Sequence, residues 1–191
     1  EANVVLPACG RGRIYVASPQ GVSALDPRDG STLWSRELSV ATLGLNPLAA
    51  CDGEGRLYVA WRTTATHGIL MCYDTASGDV QWVHPTHEPF VAMGTVAGSV
   101  FLRGANVDAF DAATGSNLWS VAAEGCGPIS LAHGRVHLIS GQQHKHIVLL
   151  DADTGLRVME QPFDGSCAGM VVDGTRVYIS SHDGALYAVN L

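Results

Sequence analysis

The stretch "AFDAATGSNLW", Ala109 to Trp119, decides the fold because the chain repeats it. "ALDPRDGSTLW" runs from Ala24 to Trp34, "CYDTASGDVQW" from Cys72 to Trp82, and "LLDADTGLRVM" from Leu149 to Met159. In all four, Asp and Gly stand four apart, and the last residue lies eight beyond the Asp. A single copy would offer the Asp as a candidate acid and the Trp as a stacking platform. Four copies at one spacing make Asp26, Asp74, Asp111 and Asp151 turn-formers, with Gly30, Gly78, Gly115 and Gly155 supplying a positive φ. Asp29, Ser77, Thr114 and Thr154 fill the position before each Gly, where a short polar side chain supports the turn. Trp34, Trp82 and Trp119 then read as covers over the seam between neighbouring units, each N–H needing an acceptor.

A period near forty residues calls for a repeat architecture. Each unit carries a second signature after a glycine turn: Ile14-Tyr15-Val16, Leu57-Tyr58-Val59, Val100-Phe101-Leu102, Val136-His137-Leu138 and Val177-Tyr178-Ile179. These runs are β-branched and aromatic and do not alternate, so they read as strands with both faces buried. One unit parses as strand A, Leu48 to Cys51; strand B, Arg56 to Ala60; strand C, Ile69 to Tyr73; and strand D, Val80 to Val83. The expectation is an all-β chain, a β-propeller of four-stranded antiparallel blades. It is read as one domain with repeats near 1–43, 44–86, 87–123, 124–163 and 164–191. The fifth repeat puts Asn190 in the Asp position and lacks strand D.

The pattern A-x-D-x-x-[TS]-G-x-x-x-W resembles the tryptophan-docking repeat of the PQQ-like propeller family. That family includes quinoprotein dehydrogenases, the BamB lipoprotein of outer-membrane barrel assembly, and propeller modules of bacterial signalling proteins. The resemblance implies rings of seven or eight blades, so the chain is either a compact five-bladed ring or part of a larger one. It also implies an extracytoplasmic bacterial setting. Function does not follow from such a fold. The family's dehydrogenases use adjacent cysteines over the cofactor and calcium ligands beneath it, and no Cys-Cys dipeptide occurs here. With no G-x-S-x-G, P-loop or H-E-x-x-H either, the expectation is a non-catalytic module without PQQ or calcium.

The uniform Asp-Gly hairpins occupy the C–D ends of the blades. The B–C loops differ: "SPQG", "RTTATHG", "RGAN", "SGQQHKH" and "SHDG". Antiparallel topology puts B–C loops and D–A connections on one face, where variation on a regular scaffold builds a binding surface. His67, His144, His146 and His182 lie in or beside B–C loops, and His84 and His87 are read into the D–A connection "VHPTHEPF". With Arg62 and Gln143, these histidines form the candidate binding face for a protein or small ligand. H-x-H and H-x-x-H spacings could pair imidazoles on a metal, but no carboxylate or Cys stands at a matching spacing, so no metal site is assigned. His137 sits in the aromatic slot of strand B and reads as a packing residue, and His133 belongs to an A–B turn.

Five cysteines (9, 51, 72, 126 and 167) form no C-x-x-C pair. Cys126 and Cys167 hold matching D–A positions and are read as free thiols, with a disulfide as the alternative. Cys72 takes the slot of Ala24 and Ala109, a buried-thiol position. The 191 residues suffice for a real core, and the 15% charged fraction against a usual ~25% argues against disorder. A net charge of −7 with ten Arg and one Lys, Lys145, leaves no basic stripe for nucleic acid. No apolar run approaches a membrane span. The start at Glu1, without Met or a secretion signal, reads as a mature chain or one excised from a longer protein with further blades or domains. A sensor domain of a signalling protein such as a Ser/Thr kinase is the first alternative function, and a dehydrogenase fragment the second.

Overall fold

The computed structural model describes residues 7–43, 47–87, 90–124, 127–141 and 145–191. The described residues form strands and turns without a helix, so no helix is long and apolar enough to cross a membrane. The strands make five sheets, each an antiparallel meander in chain order. The first sheet contains β1 (Ala8–Gly10), β2 (Arg13–Ser18), β3 (Gly21–Leu25) and β4 (Thr32–Glu37). The second contains β5 (Leu48–Cys51), β6 (Arg56–Arg62), β7 (Gly68–Asp74) and β8 (Val80–Thr86). The third contains β9 (Ala92–Val96), β10 (Ser99–Arg103), β11 (Asn106–Asp111) and β12 (Asn117–Ala122). The fourth contains β13 (Ile129–Ala132), β14 (Arg135–Ser140), β15 (Lys145–Asp151) and β16 (Arg157–Phe163). The fifth has three strands, β17 (Gly169–Asp173), β18 (Arg176–Ser180) and β19 (Leu186–Asn190). The chain divides into two compact units. The first holds residues 1–89 with the turn 113–116, and the second holds 90–112 and 117–191.

The non-alternating B strands are buried on both faces in the middle sheets: Leu57 to Trp61, Ser99 to Arg103 and Val136 to Ile139. β2 and β18 depart from that expectation. Only Tyr15 and Ala17 are buried in β2, and only Val177 and Ile179 in β18. In the first unit Tyr15 and Ala17 share a cluster with Leu57, Val59 and Trp61; in the second, Val177 and Ile179 share one with Ile139, Ile147 and Phe163. The residues on the opposite faces of β2 and β18 stay half-buried or exposed.

The Asp-Gly hairpins follow their sequence logic. Asp74 Oδ1 accepts from the amides of Ala76 (2.9 Å) and Ser77 (2.8 Å), and Gly78 donates to the Asp74 carbonyl at 2.8 Å. Asp151 repeats this with Asp153, Thr154 and Gly155. The turn hydrogen bonds, led by the Ser77 amide for Asp74 and the Thr154 hydroxyl for Asp151, hold both carboxyls below the usual carboxylate range. All four glycines have φ between +71° and +75°. The tryptophans use the space this leaves. Trp34 donates to the Thr75 carbonyl (3.1 Å) and lies over Gly78; Trp119 donates to the Ala152 carbonyl (3.0 Å) and lies over Gly155. Trp82 covers Gly115, whose turn belongs to the first unit.

A feature not legible beforehand is the pairing behind each tryptophan. Trp34 faces Ala24, Trp82 faces Cys72 and Trp119 faces Ala109, while Met159 faces Leu149. In all four the register shifts immediately after that C-strand residue, a β-bulge that recurs at the same place in each of these sheets. The buried Cys72 thiol is pushed up to about 12 by burial, as expected of a packing residue.

Candidate binding face

In the first unit, β6 continues through Trp61 and Arg62. Trp61 is fully buried, donates to the Ser18 carbonyl at 2.8 Å and packs edge-on to Tyr73. Arg62 ends the strand half-buried, its Nη2 reaching the Ala65 carbonyl at 3.5 Å. Thr64 to His67 then close a tight loop, with amides of Thr66 and His67 donating to Thr64 Oγ1. The His67 ring is held by hydroxyls: Nδ1 lies 2.9 Å from Thr66 Oγ1 and 3.2 Å from Thr64 Oγ1. His87 stands edge-on to it, ring centroids 5.7 Å apart. His67 and His87 therefore meet, although they come from a B–C loop and a D–A connection.

His84 is not in that connection. It lies in β8, half-buried and paired with Leu70. The D strand runs on to Thr86 because the β7–β8 hairpin stays paired to Gly68, and Pro85 is tolerated on an outer strand whose far edge needs no donor.

In the second unit, Lys145 and His146 open β15. Lys145 Nζ donates to the Gly165 carbonyl at 3.2 Å, and His146 Nδ1 lies 3.6 Å from Glu160, which also binds Arg157. A cavity of about 210 Å³ opens at this end of the sheets, lined by Ile139, Gly141, Lys145, Ser166, Cys167 and His182, with Gly127 beside them. His182 is exposed on the β18–β19 turn, and the Ser166 and Ser181 hydroxyls are 3.0 Å apart. Behind the cavity lies Arg103, fully buried, donating to the carbonyls of Pro128 (3.1 Å) and Ile139 (2.5 Å). Cys167 is a free thiol raised by burial, with the charges of Arg103 and Lys145 opposing the shift. The cavity lining thus presents an ammonium, a hydroxyl and an imidazole, groups suited to carbonyl or carboxylate ligands.

Gln143, His144 and Cys126 lie outside the described residues. Among the described residues no three His, Cys, Asp or Glu side chains converge as a metal site. Arg103 and Ser166 were not singled out from sequence. Arg103 ends an otherwise apolar run, Val100-Phe101-Leu102, and a charge at that point was the available signal.

The model of the family described as outer membrane protein assembly factor BamB matches residues 18–125 and again 103–191. The chain belongs to that PQQ-like propeller family. The double match reflects the repeat: one model fits two overlapping runs of units. Solved structures agree on the fold. BamB from Moraxella catarrhalis is 15% identical with a TM-score of 0.61, covering 98% of this chain and 74% of its own. The WD40 domain of Neurospora crassa Pan2 is 14% identical with a TM-score of 0.74, over 99% of this chain and 61% of that one. A europium-containing methanol dehydrogenase is 13% identical with a TM-score of 0.68, over 94% and 47%. The chain thus spans about half to three quarters of the length of these structures. No match was found among curated proteins.

Proposed function

We propose that this PQQ-like propeller is a non-catalytic interaction module that holds a protein or small ligand on the face bearing the B–C and D–A loops. The observation that supports it best is the cavity at Lys145, Ser166, Cys167 and His182. It opens among the irregular loops and carries the chain's single lysine, whereas the opposite ends of the sheets carry uniform hairpins. The family description names an outer membrane protein assembly factor, and that kinship supports both a partner-binding role and a setting outside the bacterial cytoplasm. Arg103 supports the reading physically: its guanidinium ties the Pro128 carbonyl, in the connection before β13, to the Ile139 carbonyl of β14, which fixes one wall of the cavity before a ligand arrives.

Site-directed crosslinking tests it. A photoreactive residue at position 182 or 67 is expected to capture a partner that one at position 153, on a hairpin, does not. Lys145→Glu is expected to abolish capture at position 182 while the circular dichroism spectrum stays unchanged. Retention of every partner by Arg62→Ala, His67→Ala, Lys145→Glu and His182→Ala would remove the proposal.

A further inference from the structure

The cavity of about 210 Å³ at the loop end of the fourth and fifth sheets holds the chain's single lysine, and no carboxylate of the described residues answers that charge. We propose that this cavity is a receptor for a single carboxylate group, seated on Lys145 Nζ and borne by a small acid or by an acidic side chain of a partner. This rests on the binding role already proposed for the cavity and adds the chemical class that it selects.

Lys145 Nζ donates to a neutral acceptor, the Gly165 carbonyl at 3.2 Å, although the chain carries a net charge of −7. Alternation along β15 explains why no acid reaches it. Lys145 shares a face with Ile147 and Leu149, which pack against the fifth sheet, while His146 shares the other with Val148, the partner of Glu160. Glu160 therefore lies across the sheet, held by Arg157 and His146. Asp183, next to His182, is occupied by its own turn: it accepts from the Ala185 amide at 2.9 Å and lies 3.3 Å from the Tyr187 hydroxyl.

The ammonium is also held in place. Lys145 stands opposite Phe163 in the β15–β16 pair. A Cβ at Gly165 would lie 2.5 Å from Phe163 Cζ, so the connection after β16 is pressed against that ring, which is itself edge-on to Tyr187. The Gly165 carbonyl thus takes one ammonium proton from a fixed position and leaves the others for a ligand. Ser166 adds a hydroxyl. Its Oγ lies 3.0 Å from Ser181 Oγ, and two hydroxyls that share one O–H between them keep the other to donate. His182 adds a ring N–H from the exposed turn. Ile139 and Cys167 supply an apolar wall continuous with the core, suited to the carbon stem of an acid. Burial raises the Cys167 thiol, and the charges that oppose the rise, on Arg103 and Lys145, are both positive.

Size and charge narrow the class. Sites for drug-sized ligands run from roughly 300 to 1,000 Å³. About 210 Å³ admits a small acid or one side chain. A phosphate would bring roughly 1.5 to 2 negative charges against one ammonium, and the guanidinium behind it already serves the carbonyls of Pro128 and Ile139. A neutral carbonyl would leave the ammonium uncompensated, whereas a carboxylate matches it with charge-assisted hydrogen bonds.

The single lysine makes the site directly readable, because isotope-labelled lysine gives one side-chain signal by nuclear magnetic resonance. The full 191-residue chain is titrated at constant ionic strength with acetate, N-acetylglutamate N-methylamide, the corresponding glutamine compound and inorganic phosphate. A saturable shift is expected with the blocked glutamate, and binding at least tenfold weaker for the glutamine compound and for phosphate. Acetate separates the sources: equal binding assigns a free acid, and binding at least tenfold weaker than the blocked glutamate assigns a polypeptide side chain. Lys145→Gln is expected to abolish the response, read at the Ser166 and Cys167 amides, and Lys145→Arg to retain it. No saturable shift with either carboxylate, or equal binding of the glutamine compound or phosphate, would overturn the proposal from the parent chain alone. An undiminished response in a folded Lys145→Gln chain would overturn it as well. Capture of a partner at position 182 without response to either carboxylate would overturn the carboxylate chemistry and leave the interaction module standing. A carboxylate response without capture of any partner would do the reverse.

Discussion

Gly30 and Gly78 form a matched pair that isolates what a seam tryptophan demands of its turn. Both occupy the same hairpin position with nearly the same backbone, φ +74° and +75°. A Cβ added at Gly30 meets nothing within 4 Å, whereas one at Gly78 lies 2.7 Å from Trp34 Cδ2 and Cε3. Gly30→Ala therefore costs only the left-handed backbone, ~1–2 kcal/mol. Gly78→Ala adds the displacement of a buried indole, an overpacking cost of ~1–3 kcal/mol. The expected totals are ~1–2 and ~2–5 kcal/mol. Urea unfolding reads them as midpoint shifts at constant m-value. In a Trp34→Ala background the Gly78 penalty should fall to that of Gly30, a coupling of ~1–3 kcal/mol in a double-mutant cycle. Equal costs at the two glycines, or a Gly78 penalty that survives removal of Trp34, would refute the account of the tryptophan as a clamp seated on glycine.

Three further outcomes follow from buried and turn-bound charges. Burial holds the His137 imidazole below its ordinary 6.5, so the unfolded chain takes up a proton that the folded ring resists, and stability falls as pH drops below that value. His137→Phe, which restores the aromatic of the third sheet, should show a melting-temperature advantage that grows from pH 8 to pH 5; a pH-independent difference contradicts it. The Asp74 carboxyl is depressed by the Ser77 amide, so its contribution is complete above the ordinary carboxylate pKa and lost as pH falls through the lower folded value. Asp74→Ala should thus destabilise at pH 7 with a gap to the parent that narrows below about pH 4, as thermal melts across that range would show. Arg103→Met strips the buried Ile139 carbonyl and the half-buried Pro128 carbonyl of a charged donor and should cost ~1–3 kcal/mol in chemical unfolding, while also reducing partner capture at position 182.

Much of the fold was legible because the repeat sets local and global structure in agreement. The second unit of the repeat shows how far: strand A at Leu48–Cys51 is reproduced, and strands B and C extend by two residues or fewer at either end. Strand D ran three residues longer, to Thr86, because a proline halts a central strand but not an outer one. That one difference moved His84 from a loop into a strand. Trp61 shows the same limit at the other end of the hairpin. It falls outside strand B as read from sequence, which ends at Ala60, yet it is core, since Ser18 of another sheet supplies its acceptor. The cavity face was legible only as a direction. Arg103 occurs in one sheet alone, and its partners at Pro128 and Ile139 are carbonyls, which carry no sequence signature.

Where the first sheet sets Tyr15, Ala24 and Trp34 side by side across its strands, the fourth sets His137, Leu149 and Met159, and this bears on how its seam is held. A seam tryptophan brings an N–H that must find an acceptor: for Trp34 it is the carbonyl of Thr75, and for Trp119 that of Ala152. Methionine at 159 needs no acceptor and fills its space flexibly, with Leu149 replacing the volume lost. The seam between the fourth and fifth sheets therefore rests on apolar packing, Ile139, Ile147, Leu149 and Phe163 against Val177 and Ile179, without the hydrogen-bonded clamp that joins Trp119 to Ala152. Contacts of that kind are non-directional, and a sheet held by them on one face opens at lower free energy than one clamped at its hairpin. Within the second unit, the contact of the fifth sheet with the fourth is thus the one expected to open first on partial unfolding.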